Sequence, residues 1–549
     1  MSVSSPSVVQ ATFAATLVDE WIAQGLSDVI ICPGSRSTPL ALAFYGRTEM
    51  TCHVRIDERS AAFFAIGVAL RSKRPVAILV TSGTAAAELH AAVAEADQAA
   101  VPLIVITADR PPELHGVGAA QTIEQGHLFG GMVRAFADPG VASLASRVTW
   151  RGLAQSLWAS ATAIWPGPVH LNAAFVEPLV GVPEALPAVV TDLEPAERHP
   201  VLEPPVDLRG KKVLMILGPG APVGSIESAH HYGWVVFGDA TAQGSTPFAD
   251  PLLRSDAFAA LAKPDLVLRV GGLPASKFVA QRLREWGVPV IGVTDGGPIA
   301  DPDRVITQRW GTSWTREEHE WWGDPNYREL VQRASEVVGE EIAAEELGGR
   351  FTEILLARRV VKASTDLGVP LVIGSSMPIR DCEWWAPARE VATFSNRGVN
   401  GIDGVVSTVF GVGATAAAIG FVGDVTFLHD VSALTHGVGE HGGTAVLVVS
   451  DNRGGGIFSF LAQGESVDPA SFDALFTTSH THDLAAIARS FGHHAVDVTS
   501  ESELTTAIEE GVAREGVSVV VARVHSPRDN VLSHAHLVER IVSRLETFA

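Results

Sequence analysis

Cysteine is nearly missing: Cys32, Cys52 and Cys382 are the only three among 549 residues. Widely spaced and odd in number, they support neither a disulfide framework nor a Cys-rich zinc site, so a reducing cytoplasm is the expected compartment. Positive charge is also in deficit, with 40 Lys and Arg against 62 Asp and Glu and a formal net charge of -22. That balance disfavours non-specific attraction to nucleic acid or an anionic membrane, and an acidic ligand must meet a local cationic pocket. The opening stretch lacks a basic start, and Asp19 and Glu20 break its apolar run, so no signal peptide is expected. No later run approaches the roughly 18 uninterrupted apolar residues of a membrane helix. No strict internal repeat is found. What remains, 46% hydrophobic and 19% charged, is an ordinary globular balance and predicts a soluble protein.

Short β-rich runs are plentiful. DVIICPG, PVAILVTSG and VPLIVITAD alternate with Ala-rich helical stretches such as Ala85 to Ala100. A Pro-, Val- and acid-rich segment from Glu177 to Gly210 then reads as an extended linker. KKVLMILGPG, WVVFGDA, PDLVLRVGG and VPVIGVTD form a second alternating block, which ends near the acidic stretch Glu336 to Glu346. PLVIGSS, AIGFVGD, TAVLVVSDN and VSVVVARV form a third. Strand-helix alternation predicts parallel sheets flanked by helices, here three tandem α/β domains over residues 1–185, 186–345 and 346–549.

The most informative pair is Gly423-Asp424-Val425, closing one apolar run, and Asp451-Asn452, closing another; Asp424 and Asn452 lie 28 positions apart. A crossover helix over Asp430 to Glu440 would put both residues at carboxyl ends of parallel strands, about 5 Å apart if the strands are neighbours. One cation could bridge them. Magnesium takes oxygen ligands and commonly shares its shell with phosphate oxygens, and a carboxylate, an amide oxygen and the Gly454 carbonyl are suitable donors. The amides of Val425 and Thr426 would open a helix facing a diphosphate, and Gly454, Gly455 and Gly456 would let the backbone approach it. Taken singly, Asp424 reads as a helix cap and Asn452-Arg453-Gly454 as a turn.

Together with ICPGSRSTPLALA, RIDERSAAFFAIG, TSGTAAAELHAAVAEA, TADRPPEL, GSSMPIRD and SNRGVNGIDG, this pairing resembles the thiamine-diphosphate-dependent 2-oxoacid enzymes. It is most similar to the branch that joins 2-oxoglutarate-derived carbon to isochorismate in menaquinone biosynthesis. The resemblance covers the outer domains throughout and the middle one more weakly. Two positions depart from that family's signature: Val425 is its third residue, and Asp451 stands where the first Asn would be. The resemblance implies thiamine diphosphate with magnesium, manganese able to substitute, held by Asp424, Asn452 and the Gly454 carbonyl. It further implies that Glu58 activates the cofactor's aminopyrimidine and that Ile457 and Phe458 shape its bend. Ser35, Arg36, Arg110, Gln121, Lys277, Ser376, Arg380 and Arg397 map onto substrate-contacting positions, with Lys277 the weakest because Phe278 follows it where some relatives carry a second basic residue. A homodimer or dimer of dimers is implied, the first domain of one subunit completing the site on the third domain of another.

Other readings compete. Gly411-Val412-Gly413-Ala414-Thr415-Ala416 fits a loose dinucleotide fingerprint, without an acidic residue at the expected offset, and Gly218-Pro219-Gly220 matches it imperfectly. An acetolactate-synthase-like enzyme and a nucleotide-binding, non-catalytic subunit remain alternatives. His480 and His482 read as two exposed loop histidines rather than zinc ligands.

Overall fold

The computed structural model describes residues 5–188, 203–222, 224–311, 320–346, 349–524 and 526–548. Residues 189–202 of the expected linker therefore lie outside the described residues. Three sheets are present, each parallel throughout. The first contains β1 (Asp28–Ile31), β2 (Thr51–Val54), β3 (Val76–Val80), β4 (Leu103–Asp109), β5 (Phe136–Ala137) and β6 (Val169–Ala174), in the order β2-β1-β3-β4-β6-β5. The second contains β7 (Val213–Leu217), β8 (Val235–Gly238), β9 (Leu266–Val270), β10 (Val290–Thr294) and β11 (Gln308–Gly311), in the order β11-β10-β9-β7-β8. The third contains β12 (Leu371–Ile373), β13 (Thr393–Phe394), β14 (Ala417–Gly423), β15 (Thr444–Asp451), β16 (His494–Val498) and β17 (Gly516–Arg523), in the order β13-β12-β14-β15-β17-β16. β3, β4, β6, β7, β9 and β15 are buried along their whole length, as sheets covered on both faces require. No described helix is long and apolar enough to cross a membrane.

The chain divides into two compact units. One comprises Met1–Ala196, Asn396–Ala416 and Asp430–Gly443. Its sheet is packed around Phe13, Trp21, Phe44 and Phe175. Its helix Glu58–Ser72 lies against the helix Val405–Val412, and glycine sets how closely. A Cβ on Gly67 would stand 2.2 Å from the Thr408 carbonyl oxygen, and one on Gly411 would stand 2.1 Å from that of Phe64. Gly411 thus belongs to a helix-helix crossing rather than to a strand-to-helix turn, which removes the dinucleotide reading of that segment. Beside the crossing, buried Asp430 accepts the Ser407 N–H at 2.7 Å and its hydroxyl at 2.9 Å. Burial pushes the Asp430 carboxyl up to about 6.

The other unit comprises Glu197–Ser395, Ala417–His429 and Thr444–Ala549 and holds the second and third sheets. One core joins them: Leu214, Phe237 and Leu252 pack in the same cluster as Trp385, Leu537 and Ile541. The acidic stretch Glu336 to Glu346 completes the helix Pro325–Glu346, and Arg540 and Arg544 pair with its Glu340, Glu341 and Glu345.

Two helices expected from the sequence differ. Ala85 to Ala100 forms two pieces, Thr84–Ala87 and His90–Gln98. The expected crossover helix over Asp430 to Glu440 is absent: a six-residue helix, Asp424–His429, is followed by 3₁₀ turns at Val431–Thr435 and Gly439–His441. The Asp430 side chain is drawn to Ser407, and Gly437, Gly439 and Gly442 weaken any longer helix.

Candidate thiamine-diphosphate and metal site

β14 and β15 are adjacent and in register, with Gly423 opposite Ser450, so Asp424 and Asn452 emerge from neighbouring strand ends as expected. Both side chains are buried. The Gly454 N–H donates to Asp424 Oδ2 at 2.9 Å and to Asn452 Oδ1 at 3.2 Å, so the two oxygens are gathered beside the same backbone amide. Asp424 Oδ1 accepts the Val425 N–H at 2.7 Å at the start of the short helix. The Gly454 carbonyl accepts from the Gly456 N–H at 2.9 Å. A carboxylate oxygen and an amide oxygen brought this close together, both on buried side chains, are the donors a hard divalent cation prefers, and they fit magnesium. The glycines also serve packing within the protein: a Cβ on Gly454 would lie 2.6 Å from the Thr477 carbonyl oxygen, and one on Gly455 would lie 2.7 Å from that of Phe476. Ile457 and Phe458 follow in a half-buried 3₁₀ turn, with the Phe458 ring 5.6 Å from that of Phe476.

Three neighbours complete the surroundings; the sequence marked Asp451 only as a departure from the signature, read His480 as an exposed loop histidine, which the structure corrects, and did not mark Glu353. His480 does not sit in open solvent: its side chain is 7% exposed, and Nε2 lies 3.2 Å from Asp424 Oδ2. Ligand atoms of Asp424, Asp451 and His480 all fall within 4.8 Å of one another. His482 is exposed, as expected. Asp451, the departure from the family signature, is ion-paired with Arg523, and burial beside Asp424 pushes its carboxyl above the ordinary range. Glu353, the third, lies buried behind Asn452 and accepts its Nδ2 at 2.7 Å. Burial and the Asp381 carboxyl hold Glu353 well above the usual carboxylate range.

In the first unit the candidate residues lie beyond the carboxyl ends of parallel strands of one sheet: Ser35 and Arg36 after β1, Glu58 after the adjacent β2 and Arg110 after β4, which β3 separates from β1. Asp57 caps the helix that Glu58 opens by accepting the Ser60 N–H at 2.8 Å. Burial, then the nearby Asp57 and Glu88 carboxylates, raise the Glu58 carboxyl above its usual value. Arg110 contacts Ser82, which follows β3, and reaches Gln121 Oε1 at 3.4 Å; the Ser82 hydroxyl donates to the Gln121 carbonyl at 2.8 Å. Arg36 is buried and donates to the Phe175 carbonyl at 2.9 Å. Arg397 sits in a loop whose next two amides, Gly398 and Val399, each donate to buried Glu95 at 2.7 Å.

Ser376, Arg380 and Lys277 belong to the second unit. Ser376 holds a positive φ of 72°, a strained setting for a side-chain-bearing residue, at the N-cap of the helix Met377–Trp385. Arg380 donates to its carbonyl at 2.6 Å. Glu383 on the same helix accepts the Ala275 and Ser276 amides, each at 2.8 Å, and so brings exposed Lys277 beside the helix carrying Arg380.

Residues 11–128 match the family described as thiamine pyrophosphate enzyme, N-terminal TPP binding domain, and residues 387–522 match thiamine pyrophosphate enzyme, C-terminal TPP binding domain. The chain is 38% identical to the 2-succinyl-5-enolpyruvyl-6-hydroxy-3-cyclohexene-1-carboxylate synthase of Thermobifida fusca (strain YX), over 93% of this chain and 95% of that relative. The chain belongs to this synthase family. It is also 35% identical to the synthase of Saccharopolyspora erythraea, over 94% of this chain and 96% of the relative. To the synthase of Myxococcus xanthus (strain DK1622) it is 34% identical over 99% of both. The two matched thiamine pyrophosphate segments contain Glu58, Asp424 and Asn452, whereas Glu353 lies outside both.

Proposed function

We propose that the protein decarboxylates 2-oxoglutarate and adds the remaining four-carbon unit to isochorismate, releasing carbon dioxide and the succinyl-substituted cyclohexene product of menaquinone biosynthesis. The observation that carries this reading is the convergence of Asp424 and Asn452 at adjacent strand ends, in a chain 38% identical over 93% of its length to a synthase of that name. When bound, thiamine diphosphate supplies the nucleophilic carbon and the electron sink for decarboxylation.

The chain's own groups do the rest. Asp424, Asn452 and the Gly454 carbonyl hold magnesium, while Val425, Thr426 and Gly455 line the diphosphate and Ile457 and Phe458 the ring system. Glu58 shares a proton with the aminopyrimidine ring nitrogen, and its raised carboxyl suits that task because a proton is more readily kept there. Ser35, Arg36, Arg110, Gln121, Lys277, Ser376, Arg380 and Arg397 receive the substrate carboxylates, guanidinium groups being suited to paired hydrogen bonds. The reading includes a cytoplasmic homodimer in which Glu58 of one subunit meets the metal site of the other. Leu42, Tyr45 and Ile56, exposed on the first unit, are the kind of apolar surface a subunit contact covers.

Product mass after incubation with magnesium, thiamine diphosphate, 2-oxoglutarate and isochorismate tests the assignment. Acetolactate from pyruvate, with no isochorismate-dependent product, would overturn it.

A further inference from the structure

Asn452 can serve a cation only through its amide oxygen, because its NH₂ end has no lone pair to offer. Its orientation is fixed from both ends. The Gly454 backbone N–H, which can only donate, marks the oxygen end at 3.2 Å. At the other end Nδ2 is taken by Glu353 Oε1 at 2.7 Å, and Glu353 Oε2 is itself held by Asn530 Nδ2 at 2.5 Å. All three side chains are buried. Glu353 opens the helix Glu353–Leu367, where an acid ordinarily faces solvent and favours the helix start. Here Thr352 caps the helix by accepting the Leu355 N–H at 3.2 Å, and the Glu353 side chain turns inward.

We propose that Glu353, braced by Asn530, is a positioning residue that locks the Asn452 amide with its oxygen toward the metal. The inference rests on the reading of Asn452 as a magnesium ligand. Without Glu353 the amide is free to rotate about its last bond, and the site would lose one of its two side-chain oxygens for part of the time. Partners that orient a metal ligand typically contribute about 10- to 100-fold in metal affinity.

The test uses the full-length protein with saturating thiamine diphosphate and manganese(II) as the metal probe, its binding followed by electron paramagnetic resonance of the free ion. Glu353→Gln should weaken manganese binding about 10- to 100-fold, since glutamine can offer Asn452 either an acceptor or a donor. The metal-free thermal midpoint should stay within a few degrees of the parent's. In an Asn452→Ala background, where no amide remains to be oriented, Glu353→Gln should change binding by less than about threefold, as a double-mutant cycle resolves. An equal loss in both backgrounds would make Glu353 a general structural support and overturn the proposal. Affinity within twofold of the parent in Glu353→Gln, with Asn452→Ala clearly weakened, would overturn it while leaving Asn452 as a ligand. Unchanged affinity in Asn452→Ala would remove both readings together. Should Glu353→Gln not fold, Asn530→Ala takes its place: a loss in the same direction supports the lock, and unchanged affinity overturns it.

Discussion

Asp424 combines a carboxylate, a strand end and a helix start in one buried position, and its replacement should be felt first in cofactor retention. Asp424→Ala is expected to abolish magnesium-dependent binding of thiamine diphosphate, with partial recovery in excess metal; calorimetry with and without magnesium measures it. Glu58→Gln should behave differently. Glutamine keeps a hydrogen bond to the pyrimidine but cannot exchange a proton with it, so cofactor affinity should stay near the parent's while turnover falls about 10²- to 10⁴-fold. Proton exchange at the thiazolium carbon, followed by NMR in heavy water, separates the two effects. Asp424 and Asn452 were legible in the sequence because each ends an apolar run, and such runs become neighbouring parallel strands. His480, Glu353 and Glu95 were not, because their contacts span 56, 99 and 303 positions and depend on how the chain returns. Glu95, Glu353 and Glu383 lie on helices, yet each is buried and fastens a segment bearing a candidate site residue.

Between elements, the crossing of Glu58–Ser72 with Val405–Val412 leaves no room for a methyl group. Gly67→Ala would press a carbon against the backbone of Thr408 rather than against a side chain that can move, so destabilisation of about 3 kcal/mol is expected. A lowered thermal midpoint with an unchanged metal site would register it. Asp430 beside this crossing gives the fold a pH term. Its folded-state value of about 6 lies above the ordinary 3.8, so its contribution is full below pH 4 and is lost as pH rises through 6. Relative to Asp430→Asn, the parent should lose on the order of 3 kcal/mol between pH 4 and pH 7, read from urea midpoints across that range. Most strands of the three sheets followed from their apolar runs, whereas β5, β6, β11, β13 and β16 were too short or too interrupted by polar residues to stand out. The missing crossover helix was hidden for another reason: Asp430 to Glu440 has usable helical residues, but a buried tertiary bond to Ser407 outweighs that weak local preference.

For the whole molecule, the proposed shared site predicts complementation. Inactive Glu58→Gln and Asp424→Ala proteins, mixed under conditions that exchange subunits, should regain activity, because half of the sites in a heterodimer would pair two intact contributions. No recovery in verified heterodimers would count against the subunit arrangement. The interleaving of the first unit has its own consequence during synthesis. Ten residues of the Glu58–Ser72 helix are buried, and the helix that covers part of that face begins only at Val405. At about 5 to 20 residues per second, a ribosome needs roughly 20 to 70 seconds to deliver it. For that interval the nascent chain exposes an apolar face rich in alanine and phenylalanine, which makes it a client for chaperones and an aggregation risk whenever translation stalls before the second half emerges.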